Sequence, residues 1–499
     1  MVFSSPTFLF LFLPVVYLLN LVAPKRLRNP LLMVASLLFY GWGEPVFVLV
    51  MIASALANYA FARWIDRVRD PVPAAPVGEA GGMAGEAGGM AGEATGGRRN
   101  RQHWRMILIV VANIGLLVVY KYTDFLLGSL NGLFGLSIPL PGIPLPIGIS
   151  FFTFQAMSYV IDVYRRETLV QKRFSHLLLY ISFFPQLIAG PIVKYHDVAD
   201  QIENRKMTLP ETAAGIQRFI LGLSKKLLVA NTMGLVADRA FALDPGNLDI
   251  SIAWIGALAY AIQIYFDFSG YSDMAIGLGH MFGFTFKENF LHPYTATSLQ
   301  DFWRRWHVSL STWFKEYLYI PLGGNRKGLL RTGLNRVLVF LLTGLWHGAS
   351  WTFVVWGLYH GAFLMLETYR IIRTDRFPLR ILRHLYTLLV VVCGFVLFRA
   401  ETLGQGWGMI RSLFAGFASN PAAQALRTEL LTPGVVLVFF VALVAATPVT
   451  RVLQARLRRV PRLSAAAGPL AYGLAFVLLA LCVLAMSAST YNPFIYYRF

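Results

Sequence analysis

Long apolar runs separated by short basic links recur through the whole chain, and that alternation leaves few architectures open. The chain has 499 residues, 56% of them hydrophobic and only 14% charged, where soluble domains carry about a quarter charged residues. In a bilayer every backbone N–H and C=O must be satisfied within the segment or a closed barrel. Apolar runs of this length therefore read as helices, and the expectation is an all-α polytopic membrane protein. Span-length reasoning gives roughly ten to twelve membrane helices, with re-entrant and interfacial helices besides. The formal net charge is +19, which in another chain would suggest nucleic-acid binding. Here Lys and Arg fall in the links between apolar runs, the positive-inside pattern, so the partner is the lipid bilayer and no nucleic acid is expected. Cys393 and Cys482 sit in apolar runs and offer neither a disulfide framework nor metal spacing.

Residues 7–23 are apolar, no basic residue precedes them, and Lys25, Arg26 and Arg28 follow. That polarity suits a first membrane helix with its N-terminus outside, not a cleaved signal. Further spans are expected at 31–42 and 45–62. The link from Arg63 to Arg105 holds seven arginines and a heptapeptide repeat, GEAGGMA at Gly78 and Gly85. Its glycines and missing apolar seam exclude a coiled coil, so 70–100 reads as a flexible Gly-rich cytoplasmic insertion in a single domain over 1–499. A span at 106–120 precedes the proline-punctuated, non-helical stretch 136–148. Residues 174–193 are apolar but broken by Pro185, Gly190 and Pro191, as a segment beside a cavity would be. Residues 209–242 read as an amphipathic or partly inserted helix containing Lys225 and Lys226, and 251–268 as a span. After it, Asp267 and Asp273 bracket Ser269, Gly270 and Ser272. This is either a polar helix break whose carboxylates cap backbone or pair with arginine, or the wall of a site. Spans at 385–398, 433–449 and 468–488 follow, and the terminal TYNPFIYYRF is expected at the outer interface as an aromatic belt.

Ser298 to Gly361 carries the chemistry. Ser298 and Asp301 form a capping box, so a helix is expected from there to just before Pro321. On it Trp303, His307 and Ser311 follow i, i+4, i+8 and share a face. Its charges are too many for lipid, so it lies at the interface or lines a polar cavity. The loop with Arg326, Lys327, Arg331 and Arg336 belongs in the cytoplasm and would attract a polyanion. Because the link at 370–383 is basic too, 337–368 must enter the membrane and return. That puts His347 near the deep turn of a short hairpin, with Gly344 and Gly348 allowing close helix approach. GLWHGA at 344–349 is echoed by GLYHGA at 357–362. On one continuous helix His360 would lie about 20 Å from His347, and it is not expected in the same site. Histidine exchanges protons near neutral pH, so His347 and His307 are the candidate catalytic pair. Trp303, Ser311, Trp346, Asp267, Asp273 and Arg326 are the candidate substrate-binding residues around them, and no metal is expected.

The motifs QDFWRRWHVSLSTWFKEYLYIPLGGNR, LLTGLWHGASWTFVVWGLYHG, FFPQLIAGPIVKY and the ending NPFIYYRF resemble the membrane-bound O-acyltransferase superfamily, and within it the bacterial alginate O-acetyltransferase branch. The resemblance covers nearly the whole chain except the glycine-rich repeat. It implies helices around a central funnel or tunnel in the bacterial inner membrane, and His347 as the catalytic histidine with His307 as its partner. It also implies acetyl-CoA as the donor substrate with no bound cofactor, an extracytoplasmic polysaccharide as the destination, and periplasmic polysaccharide-modification proteins as partners. Two other classes stay open on the residues alone. A secondary transporter or flippase for an exopolysaccharide precursor would use broken helices and buried Asp267 and Asp273, although no two-fold repeat beyond the GLWHGA echo supports it. A structural subunit of an export complex would leave both histidines replaceable.

Overall fold

The computed structural model describes residues 1–67, 88–415, 421–449, Val452, Arg456, 461–488, Tyr491, Asn492 and Ile495, with backbone alone at 88–99, Pro245 and 461–467. The regular elements among the described residues are all helices, without a strand. Among the described residues, seven helices are long and apolar enough to cross a membrane, and eight if Pro421–Leu430 and Pro433–Ala445, bent by 75°, form one broken span. This is fewer than the expected ten to twelve because several apolar runs make short helices. Phe174–Ser182 has 9 residues, and the 17-residue Lys25–Gly41 spends its first turn on KRLR. The chain divides into two compact units.

One unit comprises Val22–Leu187 and Lys194–Asn204. Phe47–Asp66 and the 35-residue helical stretch Asn100–Phe134 are its long spans. They are joined through buried Asn58 and Asn113, whose amides bond each other reciprocally at 3.0 Å. Such an amide pair satisfies both groups where water is absent. The Gly-rich insertion expected over 70–100 lies outside the described residues from 70 to 87. From Gly88 the backbone is already helical and runs on to Leu117. Residues 136–146 are irregular, as their prolines dictate, and Phe174–Ser182 stops just before Pro185.

The other unit comprises Met1–Leu21, Ile188–Val193 and Arg205–Phe499. Its centre is Ile250–Met281, a helix of 32 residues buried on nearly every side. The polar break expected around Asp267 and Asp273 does not occur. Asp267 pairs with Lys226 at 2.8 Å, and Asp273 with Lys225 at 2.6 Å and Arg218 at 2.8 Å, so the carboxylates need no bend to be satisfied. The glycines are contact points instead. A Cβ on Gly270 would meet the Gly222 oxygen at 2.7 Å, and one on Gly277 the Gly215 oxygen at 2.6 Å. Seven residues separate the glycines on each helix, so the antiparallel backbones touch two turns apart. The partner helix is Leu209–Ser224. With a π-helical turn at Lys225–Ala230 and Asn231–Phe241 it makes one 33-residue candidate span. Residues 209–241 are therefore long enough to cross the membrane, and Lys225 and Lys226 within them are paired with Asp273 and Asp267.

Tyr491 and Ile495 are also held inside this unit. Tyr491 donates to Asp238 Oδ2 at 2.7 Å, and the Ile495 N–H donates to Asp267 Oδ2 at 2.9 Å. The expected aromatic belt is thus corrected for Tyr491 and Ile495. A tail that supplies polar partners to buried carboxylates gains more inside than at the interface.

Candidate active site

The single helix expected from Ser298 to Pro321 is two short helices with a sharp break. Ser298 caps the first, accepting from the Asp301 N–H at 3.1 Å, and Asp301 pairs with Arg305. Glu367 adds a second cap, its carboxylate accepting from the Leu299 and Gln300 N–H groups at 2.8 and 3.2 Å. Leu299–Arg305 then ends, Trp306 is extended, and His307 sits at φ 44°, ψ 56°, before Val308–Phe314 begins. A left-handed histidine costs of order 1–3 kcal/mol unless its surroundings hold it. Asn289 does so. Its backbone oxygen accepts from the Val308 N–H at 3.0 Å. Its Oδ1 accepts from the Ser309 N–H at 3.1 Å, the Ser309 hydroxyl at 2.9 Å and His307 Nδ1 at 3.2 Å. Ser309 Oγ accepts in turn from the Ile192 N–H, and Asn289 Nδ2 donates to the Gly190 oxygen.

This network fixes the His307 tautomer. With Nδ1–H donated to an amide oxygen, the lone pair is on Nε2, which is buried without a hydrogen-bond partner among the described residues. His307 lies outside the candidate spans. Burial, and next the charge of His347, hold its imidazole well below the ordinary histidine value of about 6.5. It is therefore neutral at physiological pH, with Nε2 able to accept a hydrogen bond.

His347 is the last residue of Gly328–His347, at the turn before Trp351–Thr368. The turn is tight because a Cβ on Gly344 would lie 2.2 Å from the Phe353 oxygen, and one on Gly348 2.1 Å from the Phe353 ring. His347 packs edge-on against Trp346, Trp356 and Phe398, with ring centroids 5.1, 5.4 and 5.0 Å away. Trp346 also faces His307 at 6.0 Å. His360 is on the returning helix, not on the helix of His347. Trp356 lies between them, 5.1 Å from the His360 ring.

Both candidate histidines line one cavity of about 370 Å³, while His360 does not. Trp303 and Ser311 line it too, and the Ser311 hydroxyl donates to the Trp303 oxygen at 3.2 Å across the break. The cavity's cations are Arg304, Lys315 and Arg336. Arg304 and Lys315 are exposed, so they mark its mouth, whereas the histidines are 2% and 6% exposed and mark its closed end. Arg336 sits about 16 Å of helix rise from His347. Arg326 is exposed and outside the lining, and Asp267 and Asp273 stay in their ion pairs, also outside it. Behind His347 a small, largely apolar recess of about 10 Å³ is walled by Phe268, Trp356, Phe395 and Phe398.

The residues the sequence did not single out are Asn289, Ser309, Lys315 and Phe398. Asn289 lies outside every motif, in KENF at 287–290, and only its place in space marks it. Ser309 was signalled weakly, two residues after His307.

Comparison with known proteins identifies the family. The signature of the membrane-bound O-acyltransferase (MBOAT) family matches residues 130–403, a stretch that includes both histidines and Asn289. The chain is 40% identical to the probable alginate O-acetylase AlgI of Azotobacter vinelandii over the full length of both. It is 35% identical to the peptidoglycan O-acetyltransferase of Helicobacter pylori over 83% of this chain and 80% of that one. With the teichoic acid D-alanyltransferase of Bacillus subtilis it shares 30% identity over 44% of this chain and 58% of the relative. The chain therefore belongs to the membrane-bound O-acyltransferase family, as a multi-pass membrane O-acyltransferase homologous to the alginate O-acetylases.

Proposed function

We propose that this enzyme moves an acetyl group from cytoplasmic acetyl-CoA towards an extracytoplasmic, alginate-like polysaccharide, and that periplasmic modification proteins complete the transfer. The observation that carries this reading is the cavity with a cationic mouth and a buried histidine pair, adjoining a recess of about 10 Å³ at His347. A volume near one water-sized sphere suits the methyl of an acetyl group and no longer chain. Arg304, Lys315 and Arg336 suit the phosphates of a nucleotide thioester. The N-terminus is read as periplasmic, and the short apolar helices, Phe8–Val22 among them, bring the membrane elements to roughly ten to twelve.

His347 acts as general base. It takes the proton of the acceptor hydroxyl as that oxygen attacks the thioester carbonyl, and it returns the proton to the thiolate when the C–S bond breaks. His307 contributes through Nε2 by orienting that imidazole or the reacting group, in a geometry fixed by Asn289. Trp303, Ser311 and Trp346 shape the space around the pair.

The test is acetyl transfer by the purified protein in detergent with radiolabelled acetyl-CoA, with acceptor glycan and candidate partners added. His347→Ala should lower transfer by about 10²- to 10⁴-fold while the protein still inserts and melts normally. Wild-type turnover in that variant would remove His347 from the chemistry.

A further inference from the structure

The second basic feature of this protein is far from both histidines in sequence. Within the unit built from Val22–Leu187 and Lys194–Asn204, a cavity of about 1330 Å³ is lined by Lys25, Arg26, Arg63, Arg67, Lys172 and Arg173, against two carboxylates, Asp66 and Glu203. The cations come from three separate links: the start of Lys25–Gly41, the end of Phe47–Asp66, and the segment between Ile149–Arg165 and Phe174–Ser182. The positive-inside pattern requires basic links on one side of the membrane. It does not require them to converge on one concavity, where like charges repel.

The convergence is built into ordered backbone. The Tyr59 hydroxyl donates to the Lys172 oxygen at 2.7 Å and accepts from Arg63 Nη1 at 3.1 Å. The Gln171 N–H donates to the Tyr159 hydroxyl at 2.9 Å, Gln171 Nε2 donates to the Tyr195 hydroxyl at 2.8 Å, and Gln171 Oε1 accepts the Arg173 N–H at 2.9 Å. Lys172 and Arg173 are thus presented by a pinned turn. Lys25, Arg26, Arg67, Lys172 and Arg173 make no ion pair among the described residues. Asp66 ends a candidate span, so the cavity opens at the depth of the lipid headgroups. Leu169, 80% exposed, adds an apolar patch to its lining.

We propose that this cavity is a binding site for a phosphate-bearing anion, separate from the acyl-transfer cavity. The phosphate comes either from the headgroup of an anionic phospholipid or from a soluble phosphate compound. Cations at a membrane surface attract anionic headgroups, each contributing roughly fivefold in affinity, and the volume here admits a whole headgroup.

The experiment uses the full-length protein in zwitterionic detergent, with binding read by thermophoresis. One arm titrates phosphatidylglycerol against phosphatidylcholine, and the other titrates ADP. Saturable binding of phosphatidylglycerol and not ADP identifies a headgroup site, and the reverse identifies a soluble ligand. The combined variant Lys25→Gln, Arg26→Gln, Lys172→Gln, Arg173→Gln should weaken the bound probe at least tenfold. Exchanging the same four positions between Lys and Arg should keep it within about threefold, since charge is retained. If the neutral variant does not fold, Glu203→Gln decides: it removes a negative charge from the same cavity and should tighten binding. No saturable binding of either probe, equal affinity in the neutral variant, or an unmoved affinity in Glu203→Gln would overturn the proposal.

Discussion

Phe398→Leu tests whether the recess behind His347 sets the acyl length. Phe398 is 5% exposed, and its ring lies 5.0 Å from His347, 5.1 Å from Trp356 and 5.0 Å from Phe353. The recess it walls holds about 10 Å³, so a propionyl chain must push its extra methylene into packed aromatic rings. Overpacking of that kind costs about 1–3 kcal/mol. At about 1.4 kcal/mol per decade, the wild-type enzyme should therefore prefer acetyl over propionyl donor by roughly 5- to 150-fold. Leucine is smaller and able to turn away, so the preference should fall at least fivefold in the variant. The swap itself should cost no more than about 1.5 kcal/mol of stability. The assay is release of free CoA thiol from acetyl-CoA and propionyl-CoA, reported as the ratio of kcat/KM. Any loss of folded enzyme cancels in that ratio, so an unchanged preference cannot be blamed on instability. An unchanged ratio would refute Phe398 as the wall, and a wild-type enzyme indifferent to the two donors would refute the recess as the acyl site.

Other expectations separate the parts of the site. Arg336→Gln should raise KM for the donor about fivefold with kcat nearly constant, and the difference should shrink as salt screens the mouth; a KM effect indifferent to salt would argue against an electrostatic role. Asn289→Ala leaves the Ser309 N–H and His307 Nδ1 without their acceptor, so it should cost about 1–3 kcal/mol in stability and lower kcat at least tenfold. Thermal unfolding and turnover both at wild-type values would show that Asn289 does not hold the break. Gly344→Ala must part the hairpin helices and should cost about 1–3 kcal/mol or more, whereas Gly128→Ala, with nothing within 4 Å of the new Cβ, should be neutral or stabilising in the same melting assay.

Membrane class, the position of His347 at a hairpin turn and the close packing at Gly344 were all readable, because each follows from a rule that acts locally. Apolar length demands a helix, basic links at both ends of 337–368 demand a return, and four-residue glycine spacing permits contact. The helix over Ile250–Met281 shows where local rules mislead. Asp267, Ser269, Gly270, Ser272 and Asp273 look like a break until Lys225, Lys226 and Arg218 arrive from another helix to neutralise the acids. The glycine then becomes a contact with Gly222. No window of the sequence contains both halves of those pairs.

The break at His307 is the harder case and the more telling one. QDFWRRWHVSLSTWF holds no proline or glycine, and its i, i+4, i+8 pattern argues for one unbroken helix. The chain bends there because Asn289, eighteen residues earlier, supplies acceptors that a straight helix would leave unused. A continuous helix would satisfy the backbone more cheaply but would leave Nδ1 of His307 free to choose its partner. The bend commits Nδ1 to Asn289, leaves Nε2 as the basic atom in a cavity that His347 also lines, and ties both to the broken segment at Gly190 and Ile192. Local propensity is overruled here in favour of one tautomer and one orientation. A residue that performs or supports proton transfer needs that arrangement and a structural histidine does not, so the departure from local rules is itself an argument for function.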